Sequence, residues 1–336
     1  MNDDLARAVA ILQQGGLVAF PTETVYGLGA NAEDPAAVAR IYAAKGRPQD
    51  HPVIVHLAPG AALDYWAAAV PPEATALAAA FWPGPLTLIL KRHARIPDAV
   101  SGGQDTVGLR CPAHPLAIAL LTAFGGGVAA PSANKFGHVS PTTAAHVHEE
   151  FDADGTVGMV LDGGSCAVGI ESTIVDLSRL DTHGPVLLRP GHISPQAIAA
   201  VIGQLPVAPD AAAPRASGTL ASHYAPHTPV AMQPRAQLVE TLARLRAAGR
   251  RLALIHMGDM DASGLHASLA LPARPDGFAH ALYAALRTMD HSGAELILVE
   301  APPTDGDWLG VNDRLRRAAH GSSGIVHGLL NAHVAG

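Results

Sequence analysis

Residues 17–28 read LVAFPTETVYGL, and this stretch decides how the first half of the chain is interpreted. Its first four residues are apolar and follow the pair Gly15-Gly16, which ends a helix predicted over residues 4–14, so they are expected to form a buried strand. The polar segment 22–24 comes directly after that strand. Because α/β sheets build their ligand sites beyond strand ends, a functional site is expected here.

The same alternation of strands and helices continues to about residue 205. Helical spacing predicts helices near residues 35–44, 71–81, 115–123 and 142–150. Apolar runs predict strands near residues 52–57, 86–90, 107–110, 128–130, 157–161, 172–177 and 185–189. The pattern therefore predicts an α/β domain with a mixed, twisted sheet over residues 1–205.

Residues 206–229 are rich in Ala, Pro and Ser and have no periodicity, which predicts a linker. Residues 230–336 return to a strand and helix rhythm, which predicts a small Rossmann-like α/β domain with a parallel sheet. Its helices are expected at 235–248, 276–290 and 307–319, and its strands at 251–256 and 295–299.

Composition excludes several classes of protein. The chain has 336 residues, a formal charge of −7 and only 4% aromatic residues, which argues against a free-standing RNA binder with stacking platforms. No apolar run approaches the ~20 residues of a membrane span. The only cysteines, Cys111 and Cys166, form no CxxC motif. The N-terminus does not resemble a signal peptide, so a cytoplasmic protein with reduced thiols is expected.

Several polar groups follow strands or helices, although none is decisive alone. Lys45 and Arg47 leave a predicted helix, where they could simply offset the helix dipole. Ser132 and Asn134 follow a predicted strand, where they could be ordinary turn and cap residues. The chain contains only three lysines among its 22 basic residues, which singles out Lys45.

Taken together, these segments closely resemble the YrdC-like family in its longer, two-domain form, over roughly residues 15–226. The segments that carry the resemblance are PTETVYGL (21–28), KGRP (45–48), SAN (132–134), GIESTI (169–174), LRPG (188–191) and HYAP (223–226).

The resemblance implies a nucleotidyltransferase that makes threonylcarbamoyl-AMP from L-threonine, bicarbonate and ATP, with Mg²⁺, and releases pyrophosphate. The product would serve threonylcarbamoyladenosine formation in ANN-decoding tRNAs through a downstream transfer enzyme, so contact with tRNA could be indirect. Two alternatives stay open: a non-catalytic tRNA- or rRNA-binding module, and a carbamoyltransferase-like enzyme that uses carbamoyl phosphate. The carbamoyltransferases of this kind carry extra acyl-phosphatase and zinc-finger modules that this chain has neither the length nor the cysteines to form.

The resemblance also implies residue roles. Lys45 and Arg47 are the catalytic cations. The expected ATP-binding residues are Arg47, His51, Thr106, Ser132, Asn134, Ser140, Arg189 and Tyr224. The expected threonine-binding residues are Thr24, His56, Arg110, Ala130, Ser172 and Thr173. No residue is assigned to a metal.

Three of these positions call for comment, as does Glu23, which has no role assigned above. Arg110 suits a carboxylate because a guanidinium binds it with two parallel hydrogen bonds. Glu23 is either a metal ligand or a partner that holds the PTET turn. His51 stands where the family often has Asn, so its contact with ATP would depend on pH. Tyr224, an aromatic residue in an Ala/Pro tract, is expected to fold over the nucleotide when the linker closes as a lid.

Overall fold

The computed structural model describes residues 3–322 and 324–331. The chain divides into two compact units, and each is discontinuous in sequence. The first unit comprises the chain up to residue 136 together with 140–219, and the second comprises 137–139 and the chain from 220 onward. Within the described residues, no helix is both long enough and apolar enough to span a bilayer.

A nine-stranded mixed sheet organises the first unit, in the order β7-β1-β2-β6-β3-β5-β4-β8-β9. Its strands are β1 (Val18–Phe20), β2 (Gly27–Asn31), β3 (Ile54–His56), β4 (Leu86–Lys91), β5 (Thr106–Arg110), β6 (Val128–Ala129), β7 (Met159–Val160), β8 (Thr173–Asp176) and β9 (Val186–Arg189). Strands β3 and β5 are parallel neighbours, and His56 lies opposite Arg110 in their register. Two expected site residues are thereby placed side by side.

Nine helices pack with this sheet in the described part of the first unit. They are α1 (Asp3–Gln13), α2 (Pro35–Lys45), α3 (Leu63–Trp66), α4 (Pro72–Phe81), α5 (Asp98–Ser101), α6 (Pro115–Phe124), α7 (Ala144–Phe151), α8 (Leu180–His183) and α9 (Pro195–Ile202). Helix α2 begins at the N-cap Asp34, whose side chain accepts from the Ala36 amide. It ends at Gly46, whose φ of 63° is a conformation that glycine adopts without strain, and this turn places Lys45 and Arg47 on either side of it.

The second unit contains a four-stranded sheet in the order β10-β13-β11-β12, in which every pair is parallel. Its strands are β10 (Val230–Gln233), β11 (Leu252–Met257), β12 (Ala267–Leu271) and β13 (Leu296–Glu300), and its helices are α10 (Arg235–Ala247), α11 (Pro275–Asp290), α12 (Leu309–Ala318) and α13 (Ile325–Asn331). The predicted fold class, a mixed-sheet α/β domain followed by a smaller Rossmann-like domain, is confirmed. Strands β10 and β12 were not expected, because both are short and only partly buried.

Candidate active site

A buried ion pair joins Arg110 to Glu23. Arg110 Nη2 donates to Glu23 Oε1 at 2.6 Å, and Arg110 Nε donates to the Gly84 carbonyl at 3.3 Å. The other carboxylate oxygen, Glu23 Oε2, accepts from the Ala113 amide at 2.9 Å. Both oxygens of Glu23 are therefore occupied by protein donors. This favours the interpretation of Glu23 as a holding partner over its interpretation as a metal ligand.

His56 lies beside Arg110 with its ring against Phe20, at 5.9 Å between ring centroids. Burial, reinforced by the charge of Arg110, lowers the pKa of His56 from 6.5 to about 3, so the ring is neutral near pH 7. Its Nδ1 atom is buried without a hydrogen-bond partner among the described residues. A neutral imidazole with a spare nitrogen suits hydrogen bonding to an uncharged polar group of a ligand.

The other expected threonine-binding residues of the β1–β2 and β6 regions are buried close to these strands. Thr22 donates its hydroxyl proton to the Val25 carbonyl, so in its 2.8 Å contact with Thr24 the donor must be Thr24. Thr24 Oγ1 is consequently left as an acceptor. Ala130 follows β6, and its amide donates to the Ile54 carbonyl at 2.9 Å. Ala130 is buried, within an apolar cluster that also contains Val18, Phe20 and Val128.

Ser172 connects two elements through its hydroxyl. Its Oγ lies 2.8 Å from Thr87 Oγ1 and accepts from Arg189 Nη2 at 3.0 Å. Thr173, the next residue, is bonded differently: its Oγ1 donates to the Ile193 carbonyl at 2.8 Å and accepts from the Ile193 amide at 3.0 Å. The Thr173 hydroxyl therefore ties β8 to the loop before α9.

The two motifs around Lys45 and Ser132 meet in the structure. Lys45 Nζ donates to the Ser132 carbonyl at 2.6 Å and also to the Asn134 carbonyl. Burial, and then the neighbouring charge of Arg47, lower the pKa of the Lys45 ammonium well below its usual value of 10.5. Lys45 thus fixes the 132–134 loop through two backbone carbonyls.

Arg47 and Arg189 converge on one residue of the linker, Ser217. Arg189 Nη1 donates to the Ser217 carbonyl at 2.8 Å, and Arg47 Nη2 lies 3.5 Å from Ser217 Oγ. Both arginines are also fastened to the domain, since Arg47 Nη2 donates to the Pro52 carbonyl at 2.9 Å and Arg189 Nε donates to the Ser172 carbonyl at 3.0 Å. The structure therefore brings two of the expected phosphate-binding cations to one place.

The remaining nucleotide candidates have distinct surroundings. Ser140 donates its hydroxyl proton to Glu171 Oε1 at 2.5 Å, so its oxygen is left as an acceptor for any further hydrogen bond. Thr106 is buried at the start of β5. Burial and Arg47 lower the pKa of His51 from 6.5, so its ring is mainly neutral near pH 7.

Tyr224 belongs to the second unit, where its ring is fully buried. The Arg314 guanidinium lies 5.3 Å from its ring centroid and the Tyr283 ring at 5.6 Å. Its φ of 60° makes it a non-glycine residue in the left-handed region, a conformation that persists where the surroundings hold it. Two groups that pack on this tyrosine, the Arg314 guanidinium and the Tyr283 ring, therefore belong to the second unit.

Three residues of the site escaped the sequence analysis. Thr87 looks like an ordinary strand residue, Ser217 lies in a tract without periodicity, and Glu171 falls inside a matched motif without a role. Among the described residues, no group of three or more His, Cys, Asp and Glu side chains is arranged to hold a metal ion.

Comparisons with known proteins cover nearly the whole chain. A family model described as "Telomere recombination" (Sua5, YciO and YrdC) matches residues 10–191, and another described as "Threonylcarbamoyl-AMP synthase, C-terminal domain" matches residues 193–320. The threonylcarbamoyl-AMP synthase of Pyrococcus abyssi is 41% identical over 325 residues, which is 93% of each chain. That of Bacillus subtilis is 41% identical over 337 residues, or 95% of this chain and 94% of the relative.

The solved structures agree with this. The P. abyssi Sua5 structure complexed with L-threonine superposes with a TM-score of 0.86 at 40% identity, covering 94% of both chains. A second P. abyssi Sua5 structure, of a variant with two alanine substitutions, also superposes with a TM-score of 0.86, at 39% identity and covering 94% of this chain and 92% of that one. The chain belongs to the Sua5/YciO/YrdC family of threonylcarbamoyl-AMP synthases, in the form that carries the additional C-terminal domain.

Proposed function

We propose that this chain is a nucleotidyltransferase that converts L-threonine, bicarbonate and ATP into threonylcarbamoyl-AMP, pyrophosphate and water. The observation that carries the proposal is the clustering of three basic side chains. Lys45 bonds to the 132–134 loop, and Arg47 and Arg189 both contact Ser217. These side chains form a preorganised positive site in the same unit as the buried Glu23–Arg110 pair, and the relatives of the chain are threonylcarbamoyl-AMP synthases.

The threonine subsite is proposed around Arg110. Its Nε and Nη2 atoms hold it to Gly84 and Glu23, and the rest of the guanidinium is available for the threonine carboxylate. Polar groups suited to the amine and hydroxyl are the acceptor oxygen of Thr24, the neutral ring of His56 and the hydroxyl of Ser172. Ala130 leaves room for the side chain, and Thr173 steadies the strand that follows Ser172.

The nucleotide subsite is proposed around Arg47 and Arg189, and the 132–134 loop is proposed to line it. The expected further contacts within the same unit come from His51, Thr106 and Ser140. Ser140, as an acceptor, suits a hydroxyl or amino group of the nucleotide rather than a phosphate oxygen. The linker residue Ser217 already reaches both arginines, which supports a linker that closes over the nucleotide.

The reaction needs charge stabilisation rather than a protein nucleophile. Threonine and bicarbonate condense to a carbamate with loss of water and a proton, and a carbamate oxygen then attacks the α-phosphorus while pyrophosphate leaves. Negative charge accumulates on phosphate oxygens during this step, and positioned cations stabilise it. Lys45, Arg47 and Arg189 are placed to do so, and their buried surroundings restrict hydrolysis of the mixed anhydride.

A magnesium ion is expected to arrive with ATP. The carboxylate oxygens of Glu23 are taken by Arg110 and Ala113, and Glu171 accepts from Ser140. Mg²⁺ commonly uses substrate phosphates and water for most of its ligands, so such a site does not require a cage of protein carboxylates. When bound, the ion would add charge neutralisation at the triphosphate.

Pyrophosphate release tests the proposal. The purified chain is given ATP and Mg²⁺, and L-threonine and bicarbonate are each omitted in turn. Release that requires both and fails with valine in place of threonine is the expected result, because a site that bonds the hydroxyl should reject the analogue by roughly 10⁴. Pyrophosphate release that does not depend on threonine would refute the proposed substrate. No release from folded protein would refute the proposed enzymatic activity. The downstream transfer enzyme, tRNA and the cytoplasmic location stay predictions.

A further inference from the structure

Two glutamates are buried in the first unit near the proposed subsites. Glu23 is 8% exposed and Glu171 is 6% exposed. Carboxylates are seldom buried to this extent without a specific partner, because removing the charge from water is costly. Each one bonds to a residue of a different proposed subsite. Glu23 bonds to Arg110 of the threonine subsite, and Glu171 bonds to Ser140 of the nucleotide subsite.

Glu23 acts on Arg110 in two ways. Its Oε1 fixes one end of the guanidinium at 2.6 Å, while its Oε2 is held by the Ala113 amide, so the carboxylate itself cannot swing. It also neutralises the buried charge, which lets Arg110 stay at the site before any ligand arrives. A glutamine here would have one acceptor oxygen for two donors, and either Arg110 or Ala113 would lose its partner.

Glu171 acts on Ser140 by accepting a hydrogen bond from its hydroxyl group at 2.5 Å, which uses the only proton of that hydroxyl. The hydroxyl rotor is thereby fixed, and its lone pairs are presented as acceptors. A neutral amide at position 171 would weaken this bond, since charge-assisted hydrogen bonds are about twice as strong as neutral ones.

We propose that the two buried glutamates are positioning residues, each for a different substrate. Glu23 orients Arg110 for binding threonine, and Glu171 orients Ser140 for binding the nucleotide. The inference rests on the proposed function, because it takes the roles of Arg110 and Ser140 from there. It predicts a crossed pattern, in which loss of one carboxylate affects the affinity for one substrate only.

The experiment compares Glu23→Gln, Glu171→Gln and wild type by pyrophosphate release, varying one substrate while the other two are saturating. We expect Glu23→Gln to raise KM for threonine at least about 10-fold with KM for ATP within about 2-fold, a tenfold change being about 1.4 kcal/mol. Glu171→Gln should raise KM for ATP by about 10-fold and leave KM for threonine nearly unchanged.

The second unit offers a matched control, Glu300. It is buried, and it accepts from Arg235 Nη1 at 3.1 Å and from the Met257 amide at 2.8 Å, the same pairing of one arginine and one backbone amide that Glu23 has. Glu300→Gln removes the same kind of pairing from the other unit and should leave both KM values unchanged. Melting temperatures of all variants show whether each is folded at the assay temperature.

Three results would overturn the inference. Equal changes of both KM values in either variant would show a general structural role. A change in kcat alone would place the carboxylate in the chemical step. A shift in the Mg²⁺ concentration needed for half-maximal activity, without a KM shift, would show a metal ligand. A wild-type protein without threonine-dependent release would instead refute the proposed function, so the two failures are distinguishable.

Discussion

The buried neutral state of His56 should make the first unit sensitive to mild acid. The unfolded chain binds a proton to this histidine below its ordinary pKa of 6.5, whereas in the folded chain the pKa is about 3. Between these two pKa values the unfolded state binds more protons than the folded state, so the free energy of unfolding decreases as the pH falls. His56 contributes its full stabilisation above pH 6.5 and progressively less below it.

The size of the effect follows from the two pKa values. Between pH 7 and pH 5, the linkage for one group with these values amounts to about 2 kcal/mol of unfolding free energy. Replacement of His56 by Gln removes the titrating group and keeps a polar side chain on β3. The pH dependence of the wild type should therefore exceed that of His56→Gln by about 2 kcal/mol over this range.

Equilibrium unfolding in urea at the two pH values measures the difference. Trp66 and Trp82 lie in the first unit and Trp308 in the second, so both chains are prepared with Trp308→Phe to restrict the fluorescence to the first unit. The two chains differ only at residue 56, so contributions from all other groups cancel in the comparison. Parallel loss of stability in the two chains would mean that His56 protonates normally in the folded state, and the reasoning from burial would be wrong.

Three further outcomes are expected. Lys45→Met removes the ammonium that contacts Ser132 and Asn134, and kcat/KM for pyrophosphate release should fall at least about 100-fold; a fall below about 3-fold would show that the other cations suffice. Thr173→Val removes the hydroxyl that bonds the Ile193 amide and carbonyl, and both groups lose this partner. The unfolding free energy should fall by about 1–3 kcal/mol, with KM for threonine unchanged. A raised KM in an equally stable variant would identify a ligand contact instead. Asp313→Asn weakens a buried carboxylate that accepts from Arg314, Arg316 and Arg317. With Trp66 and Trp82 replaced by Phe in both chains, so that the fluorescence reports the second unit, unfolding should show a loss of about 3–5 kcal/mol. An unchanged midpoint would mean that the three arginines find other partners.

Local patterns predicted most of the regular structure. Helix α2 was expected over 35–44 and ends at Lys45, because its N-cap, its proline and its C-terminal glycine are all local signals. Strand β12 was missed because its alternation is weak and most of it is only partly buried. Its place in the sheet depends on pairing with β11, which no local signal specifies.

The site shows the same division between local and distant information. Arg110 and Glu23 could each be singled out from the sequence, yet their bond joins residues 87 positions apart, so their pairing could not be predicted. Lys45 was expected among the catalytic cations, but its bonds to two backbone carbonyls were not expected. Backbone acceptors leave no trace in residue identity, which is why this contact was invisible beforehand.

The membership of residues 137–139 in the second unit affects how the chain is completed during synthesis. The Val139 carbonyl accepts from Arg287, 148 residues later, and the Gly137 carbonyl accepts from the Ala225 amide. All residues of the first unit, which ends at residue 219, are therefore synthesised before Arg287 exists. A protein of this connectivity cannot be finished one unit at a time, and a chain that stops at residue 219 keeps a three-residue segment whose partners are never made.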